Sequence, residues 1–439
     1  MLKATSSLHN FGLTFGSKLL TILMTLATQS CLAYVMGPEA RGAYAVCIIF
    51  ATTLIIFFMF GCDFEGIHFV SSKQISITEG IIYSALFACI GAALASLVGV
   101  IILSQSFSFV TKAPLTSFYL SLGLVPSSVL ALVLINLFTA VNLFGIFAVL
   151  YIIYGLIGLL LTIVFVWLLQ WGIQGALLAG ILRDIVIIMT ALIIFHIKYG
   201  FTQISFSSAK FIAMLNYSIR YYFGKVGNLA GFQIGGIILA FFAPARDVGM
   251  FAIASQLTIQ IILIPDSVSA VLTPKISAHS ADQEHTVAMV SRFVGLITGL
   301  ALLFLMIFAK PFVQILFSSD FLAVAMLIQV LAVGIFIRCV CKVFIPYLLA
   351  TGYPQLVSVS SIVGTFVNLV ILTFFYTSFG LKTAAFAMTA GYIVSSVLLT
   401  IGFINVSRMK FSTIWKPQLK DWDFMLQSFL TARRYFGQS

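Results

Sequence analysis

LAVAMLIQVLAVGIFIRCVCKVFIPYLL, residues Leu322–Leu349, runs for 28 residues and holds sixteen Leu, Ile, Val and Phe. A helix of roughly 20 predominantly apolar residues crosses the hydrocarbon of a bilayer, so this segment is long enough to span. Yet it carries Arg338 and Lys342, one helical turn apart and therefore on one face. A cation near the centre of a membrane helix costs about 2.5 to 3.5 kcal/mol, and two cost about 5 to 7. The sixteen large apolar residues return about 5 to 10 kcal/mol on the same scale, so the helix inserts regardless. The cations still need compensation, and the expectation is a wet, electropositive cavity. Pro346, four residues beyond Lys342, loosens the helix beside them.

The rest of the chain has the same character. Of its 439 residues 61% are hydrophobic, 14% aromatic and only 8% charged, against about 25% charged in soluble domains. Apolar windows of spanning length recur, and an all-α polytopic membrane protein with twelve transmembrane helices is predicted. The expected spans are 11–35, 43–61, 81–103, 116–141, 146–169, 174–196, 217–242, 248–273, 288–309, 322–349, 356–377 and 383–406. The fourth and fifth are divided at Asn142–Gly145.

An even number of spans returns the chain to its starting side, and the basic residues choose that side. Fifteen of the 23 Lys and Arg fall on the side of the termini and five on the other, with Arg41 and Lys112 among the five. The positive-inside rule therefore places both termini in the cytoplasm. Connections on the outer side are short and leave no external domain. The net charge of +11 comes without a run of cations interleaved with aromatics, which excludes a nucleic-acid groove. The segment 407–439 mixes six cations with Trp415, Trp422, Phe424, Phe429, Tyr435 and Phe436. It reads either as an interfacial amphipathic helix or as a solvated basic tail. Lys18 interrupts the first apolar stretch and no small-residue cleavage site follows, so that stretch is an uncleaved span.

The six cysteines lie in or beside apolar segments and read as buried fillers. GLTFGSK from Gly12 is one residue short of a phosphate loop and lies in a span. No metal motif, nucleophile elbow or nucleotide fingerprint is present, and no cofactor is expected.

Marks in the first half return at an offset of 207 to 209 residues. FGSK at Phe15 returns as FGK at Phe223, and EARGAYA, with Gly42, Tyr44 and Ala45, returns as ARDVGMFA, with Gly249, Phe251 and Ala252. Gly155 returns as Gly364, and GIQGALLA from Gly172 as GLKTAAFA from Gly380. Six spans separate the copies, so both enter the membrane in the same direction. This predicts parallel repeats: six-helix bundles over 1–210 and 211–406, followed by the tail 407–439, with a substrate site between the bundles.

Charged residues within spans mark that site. Arg338 and Lys342 lead the candidates. Lys18 and Lys225 are near-equivalent in the repeat and form a candidate cross-cavity pair; snorkelling from a cytoplasmic end is the alternative. Arg183 and Asp184 sit mid-span in AGILRDIVIIM. Neighbours on a helix point about 100° apart, so full mutual neutralisation is not expected. Arg183 is a candidate for the substrate and Asp184 for a coupling ion, with an interhelical ion pair as the alternative. Asp266, after Pro265, is a candidate for ion coupling or a cap at the proline break. Arg220, beside Tyr221 and Tyr222, belongs to an interfacial belt and completes the cationic set.

In order and spacing, VMGPEARGAYA, ARDVGMFAIASQL with IPDSVSAVLTPKIS, LLATGYPQLVSV, and FVNLV with FGLKTAAFA resemble the polysaccharide transporters of the multidrug/oligosaccharidyl-lipid/polysaccharide exporter superfamily. Wzx-type O-antigen flippases are the most similar group. The resemblance implies a MATE-like pair of six-helix bundles working by alternating access. It implies translocation of an undecaprenyl-pyrophosphate-linked oligosaccharide across a bacterial cytoplasmic membrane. A polysaccharide polymerase and chain-length machinery are the implied partners, and H+ or Na+ the implied coupling ions. Members often carry an acid in the seventh span; here GFQIGGIILAF has Gln233 and Gly235 instead. Arg fits a pyrophosphate through its planar fork, and Lys as a point charge. Two alternatives stand beside the flippase: a MATE-like drug or cation antiporter, and a membrane polysaccharide polymerase or ligase. The excess of cations over acids in the spans opposes the first, and the short outer loops oppose the second.

Overall fold

The computed structural model describes residues 2–59, 61, 65–105, 107–200, 207–269, 283–411 and 414; for 2–11, 220–221 and 223–234 it describes the helical backbone alone. Every regular element among the described residues is helical. The run Leu2–Phe58 is broken at Gly37, whose φ of 69° and ψ of 176° leave helical space. Pro38 follows, with its φ already suited to the first position of a new helix. The arms are α1 (2–36) and α2 (38–58). Then come the short α3 (Glu65–Ser71), α4 (Ile77–Ser104), α5 (Leu115–Ala140) and α6 (Phe144–Thr162), the last continued by a π-helical stretch, Ile163–Leu168. The series goes on with α7 (Gly172–Tyr199), α8 (Ser208–Phe242) and α9 (Ala245–Ile259), whose helical path continues to Ser269. It ends with α10 (Gln283–Ile307), α11 (Ala309–Phe317), α12 (Leu322–Lys342), α13 (Ile345–Ala350), α14 (Pro354–Phe379) and α15 (Leu381–Ser407).

Ten helical stretches among the described residues are long and apolar enough to cross a membrane. One of them, Gly12–Phe58, contains two passes joined at Gly37, and α8 adds another of 35 residues. With these the expected twelve are accounted for. The predicted division at Asn142 is present, with Asn142 itself at φ 59° between α5 and α6. The helix is interrupted at Val343–Phe344, between α12 and α13, with Pro346 in the first turn of α13. The second span begins earlier than the apolar pattern suggested, at Pro38 rather than at residue 43, because the Gly-Pro pair, not the first large apolar residue, starts the helix. The short helices α3 and α11 were not anticipated.

Burial follows side-chain size as much as polarity. On α4 the buried face carries Ser84, Ala88, Gly91, Ala92, Ala95 and Gly99, while Leu86, Ile90, Leu94, Leu97 and Ile101 are exposed. On α15, Ala384, Ala385, Gly391, Ser395, Ser396 and Gly402 are buried. With hydrocarbon outside, large apolar residues gain nothing by turning inward, and small ones let backbones approach.

The chain divides into two compact units. Unit 1 comprises Met1–Ile253, Pro311–Val324 and Tyr376–Leu381. Its core stacks Phe138 on Phe195 at 4.1 Å and includes Tyr83, Leu150 and Ile187. Within it, Gly42 on α2 meets the start of α9: a Cβ on Gly42 would lie 1.9 Å from the Ala245 carbonyl oxygen, and one on Gly249 2.7 Å from the Gly42 Cα. Unit 2 comprises Ala254–Lys310, Ala325–Phe375 and Lys382–Ser439. There Phe344 stacks on Phe403 at 4.5 Å, beside Val287, Val294, Tyr347 and Ile414. Residues 415–439, the bulk of the predicted tail, lie outside the described residues.

Candidate functional site

In unit 2, α12 delivers Arg338 and α15 receives it. Arg338 is 3% exposed, and its Nη1 donates to Ser395 Oγ at 2.9 Å. The small residues of α15 allow this approach: a Cβ on Gly334 would lie 2.8 Å from the Thr389 backbone. Lys342, one turn on, forms an ion pair with Asp266, which follows Pro265 near the end of the α9 path. Asp266 is half exposed, whereas Lys342 is mostly covered. The two cations of the opening stretch are therefore compensated by different partners. A buried hydroxyl serves Arg338 and a carboxylate serves Lys342. Arg338 is enclosed by protein in this structure and does not face an open hollow.

In unit 1, Arg183 and Asp184 of α7 do pair, contrary to the expectation from their 100° separation. Arg183 Nε and Nη2 both donate to Asp184 Oδ1, at 3.0 and 2.8 Å. The length of the arginine stem lets its head swing back over the helix, and the absent side chain of Gly158 on α6 leaves room for that stem. The guanidinium lies 4.0 Å from the ring centroid of Tyr154, a cation–π contact of about 1 kcal/mol for a part-exposed arginine. Asp184 is fully buried, and its Oδ2 accepts from Ser128 at 2.5 Å and Ser127 at 3.2 Å on α5. The carboxylate thus has donors on both oxygens, which is what a buried charge requires.

Arg41 is the residue that sequence reasoning missed. Counted among the outer-side charges, it lies in the first turn of α2 at 2% exposure. Its Nη2 donates to Gln29 Oε1 at 2.5 Å, and its guanidinium stands 5.1 Å from the Tyr44 ring. The available signal was Gly37–Pro38, which starts a helix and draws Arg41 into it.

Of the other predicted residues, Lys18 is half-buried on α1. Lys225 and Arg220 lie on α8, but their side chains are outside the described residues, as is any pairing of Lys225 with Lys18. The structure brings together Arg183 with Asp184 and Lys342 with Asp266. No cluster of three or more His, Cys, Asp or Glu able to hold a metal occurs among the described residues.

The sequence matches the profile of a family described as "Polysaccharide biosynthesis protein" over residues 7–279. No curated protein matches the sequence significantly. Among solved structures, the chain is similar to a mutant of the Vibrio cholerae MATE transporter VcmN, at 15% identity and a TM-score of 0.63, covering 94% of this chain and 99% of that one. It is similar to the lipid II flippase MurJ in an inward closed conformation, at 15% identity and a TM-score of 0.72, covering 95% and 92%. A third is a MOP superfamily transporter from Pyrococcus furiosus, reported with reversed polarity of its binding pocket, at 14% identity and a TM-score of 0.64, covering 92% and 95%. At these identities the likeness is one of fold: the twelve-helix architecture of MATE- and MurJ-type membrane proteins.

Proposed function

From the premise that this chain belongs to the polysaccharide biosynthesis protein family, we propose that it is a flippase that moves an undecaprenyl-pyrophosphate-linked oligosaccharide, such as an O-antigen repeat unit, across the cytoplasmic membrane by alternating access. The observation that carries the reading is the set of cations in the spanning helices, Arg41 and Arg338 buried, Arg183 and Lys342 part-covered. The acids beside them are fewer. Asp184 and Asp266 each hold one cation, Arg41 donates to Gln29 and Arg338 donates to Ser395. In this set four cations stand with two acids, and a guest that complements it is an anion. Two phosphates crossing hydrocarbon without counter-charge would face a prohibitive penalty, and guanidinium forks supply that counter-charge. In this reading Arg338 and Lys342 exchange their present partners for phosphate oxygens. Asp266, half exposed, takes up the proton or sodium ion that frees Lys342. Asp184 keeps Arg183 in place. Both termini face the cytoplasm, and a polymerase consumes the product on the far side. A cation antiporter needs the opposite charge balance, and a polymerase needs catalytic groups outside the membrane.

The test is where the lipid-linked repeat accumulates. Deleting the gene should trap single units on the cytoplasmic leaflet, and Arg338→Ala should do the same at normal abundance. Single units that reach the outer leaflet unpolymerised in the deletion strain would overturn the flippase assignment. Normal export by Arg338→Ala would remove that residue from the path.

A further inference from the structure

The proposed cargo is an amphiphile, and the cations above address only its phosphates. Unit 1 also holds a cavity of about 240 Å³ between α2, α4, the loop that follows α4 and the end of α8. Phe50, Phe107, Phe109 and Phe241 wall it, with Ile102 and Ala240 between them. The rings brace one another: Phe109 stands edge-on to Phe241 at 5.0 Å between centroids, and Phe50 is tilted against Phe109 at 5.9 Å. Thr53 is the polar residue of the lining, and its hydroxyl donates to the Ile49 carbonyl at 2.6 Å, so it presents its methyl. An apolar cavity of about 150 Å³ stays dry and takes up benzene. This one accommodates a longer piece of hydrocarbon.

A cation stands at its rim. Lys112, in the turn Val110–Lys112, donates to the carbonyls of Ala240 and Ala243 at the end of α8. An ammonium has three donors, so among the described residues one is left for an anion. Partial burial holds the Lys112 pKa below the ordinary lysine range, and an anionic neighbour would offset the lost hydration.

A dry slot with a cation at its lip complements a hydrocarbon chain with an anionic head. The geometry points to this cavity as a site for the isoprenoid tail of the lipid-linked cargo, with Lys112 on the adjoining phosphate. The inference rests on the flippase reading above.

The test photolabels the full-length protein, in nanodiscs of phosphatidylglycerol and phosphatidylethanolamine, with a polyprenyl phosphate bearing a diazirine near its head. Labels are expected on peptides containing Phe107–Lys112 and Ile237–Phe241. Unlabelled polyprenyl phosphate should compete at least tenfold better than phosphatidylglycerol. Thr53→Trp, which fills the slot, should cut labelling at least fivefold, and the milder Ala240→Leu should do so if the tryptophan variant fails to fold. Lys112→Gln should lower labelling by the phosphate several-fold but leave labelling by an uncharged polyprenol probe unchanged. Equal competition by phosphatidylglycerol, or undiminished labelling in the filled variants, would show bulk lipid in the slot and overturn the inference. The leaflet assay keeps the two readings apart. Export that needs the protein while labelling is unspecific defeats only the tail site; outer-leaflet units in the deletion strain defeat the flippase.

Discussion

Asp184 and Asp266 each hold a cation, but their surroundings predict different energetics. Asp184 is fully buried with donors from Arg183, Ser127 and Ser128. Removing one member of a buried pair leaves the other uncompensated, at about 3 to 5 kcal/mol. Because Arg183 is 23% exposed, Asp184→Ala should fall at the lower end, seen as a clear drop in melting temperature. The double variant with Arg183→Met should recover much of that loss. Asp266 is 51% exposed, and exposed pairs contribute about 0 to 1 kcal/mol. Asp266→Asn should therefore melt like the parent while altering export through the freed Lys342. A large destabilisation by Asp266→Asn would mean that the pair is structural rather than exchangeable.

At the scale of helices, α2 and α9 are held by the absence of side chains. Gly42 and Gly249, which lie 207 residues apart in the sequence, touch each other. Gly42→Ala would push a methyl into the Ala245 carbonyl, with backbone on both sides and nothing flexible to yield. Gly42→Ala and Gly249→Ala should both lower thermal stability. Gly145→Ala, which meets nothing within 4 Å, should leave it unchanged or slightly raised. Equal melting of all three would show that the contact is looser than drawn. The same end of unit 1 is fastened where Ser108 and Lys112 donate to the last carbonyls of α8, groups that a helix end leaves without internal partners.

For the whole molecule, the charge bias makes a directional prediction. In a cysteine-free background, a cysteine at Glu39 should react with an impermeant maleimide on intact cells. One at Lys73 should react only after the cells are opened. The reverse pattern would invert the topology and, with it, the direction of the proposed transport.

The number of spans and the breaks at Asn142 and beside Pro346 were legible in the linear chain, whereas the start of the second span at Gly37–Pro38 was not read from the apolar pattern. In hydrocarbon every backbone group must bond within its own helix, so span length and breaker residues leave little choice. That Arg183, Asp184, Arg338, Lys342 and Asp266 stand out was equally legible, because charge in a span is costly wherever it points. Their partners were not. Whether Arg183 reaches Asp184, whether Lys342 meets Asp266, and whether Arg41 lies within a helix end or outside it depend on how each helix is rotated and how closely its small residues let the next approach. Packing across distant segments sets those rotations, and no local pattern of residues encodes them.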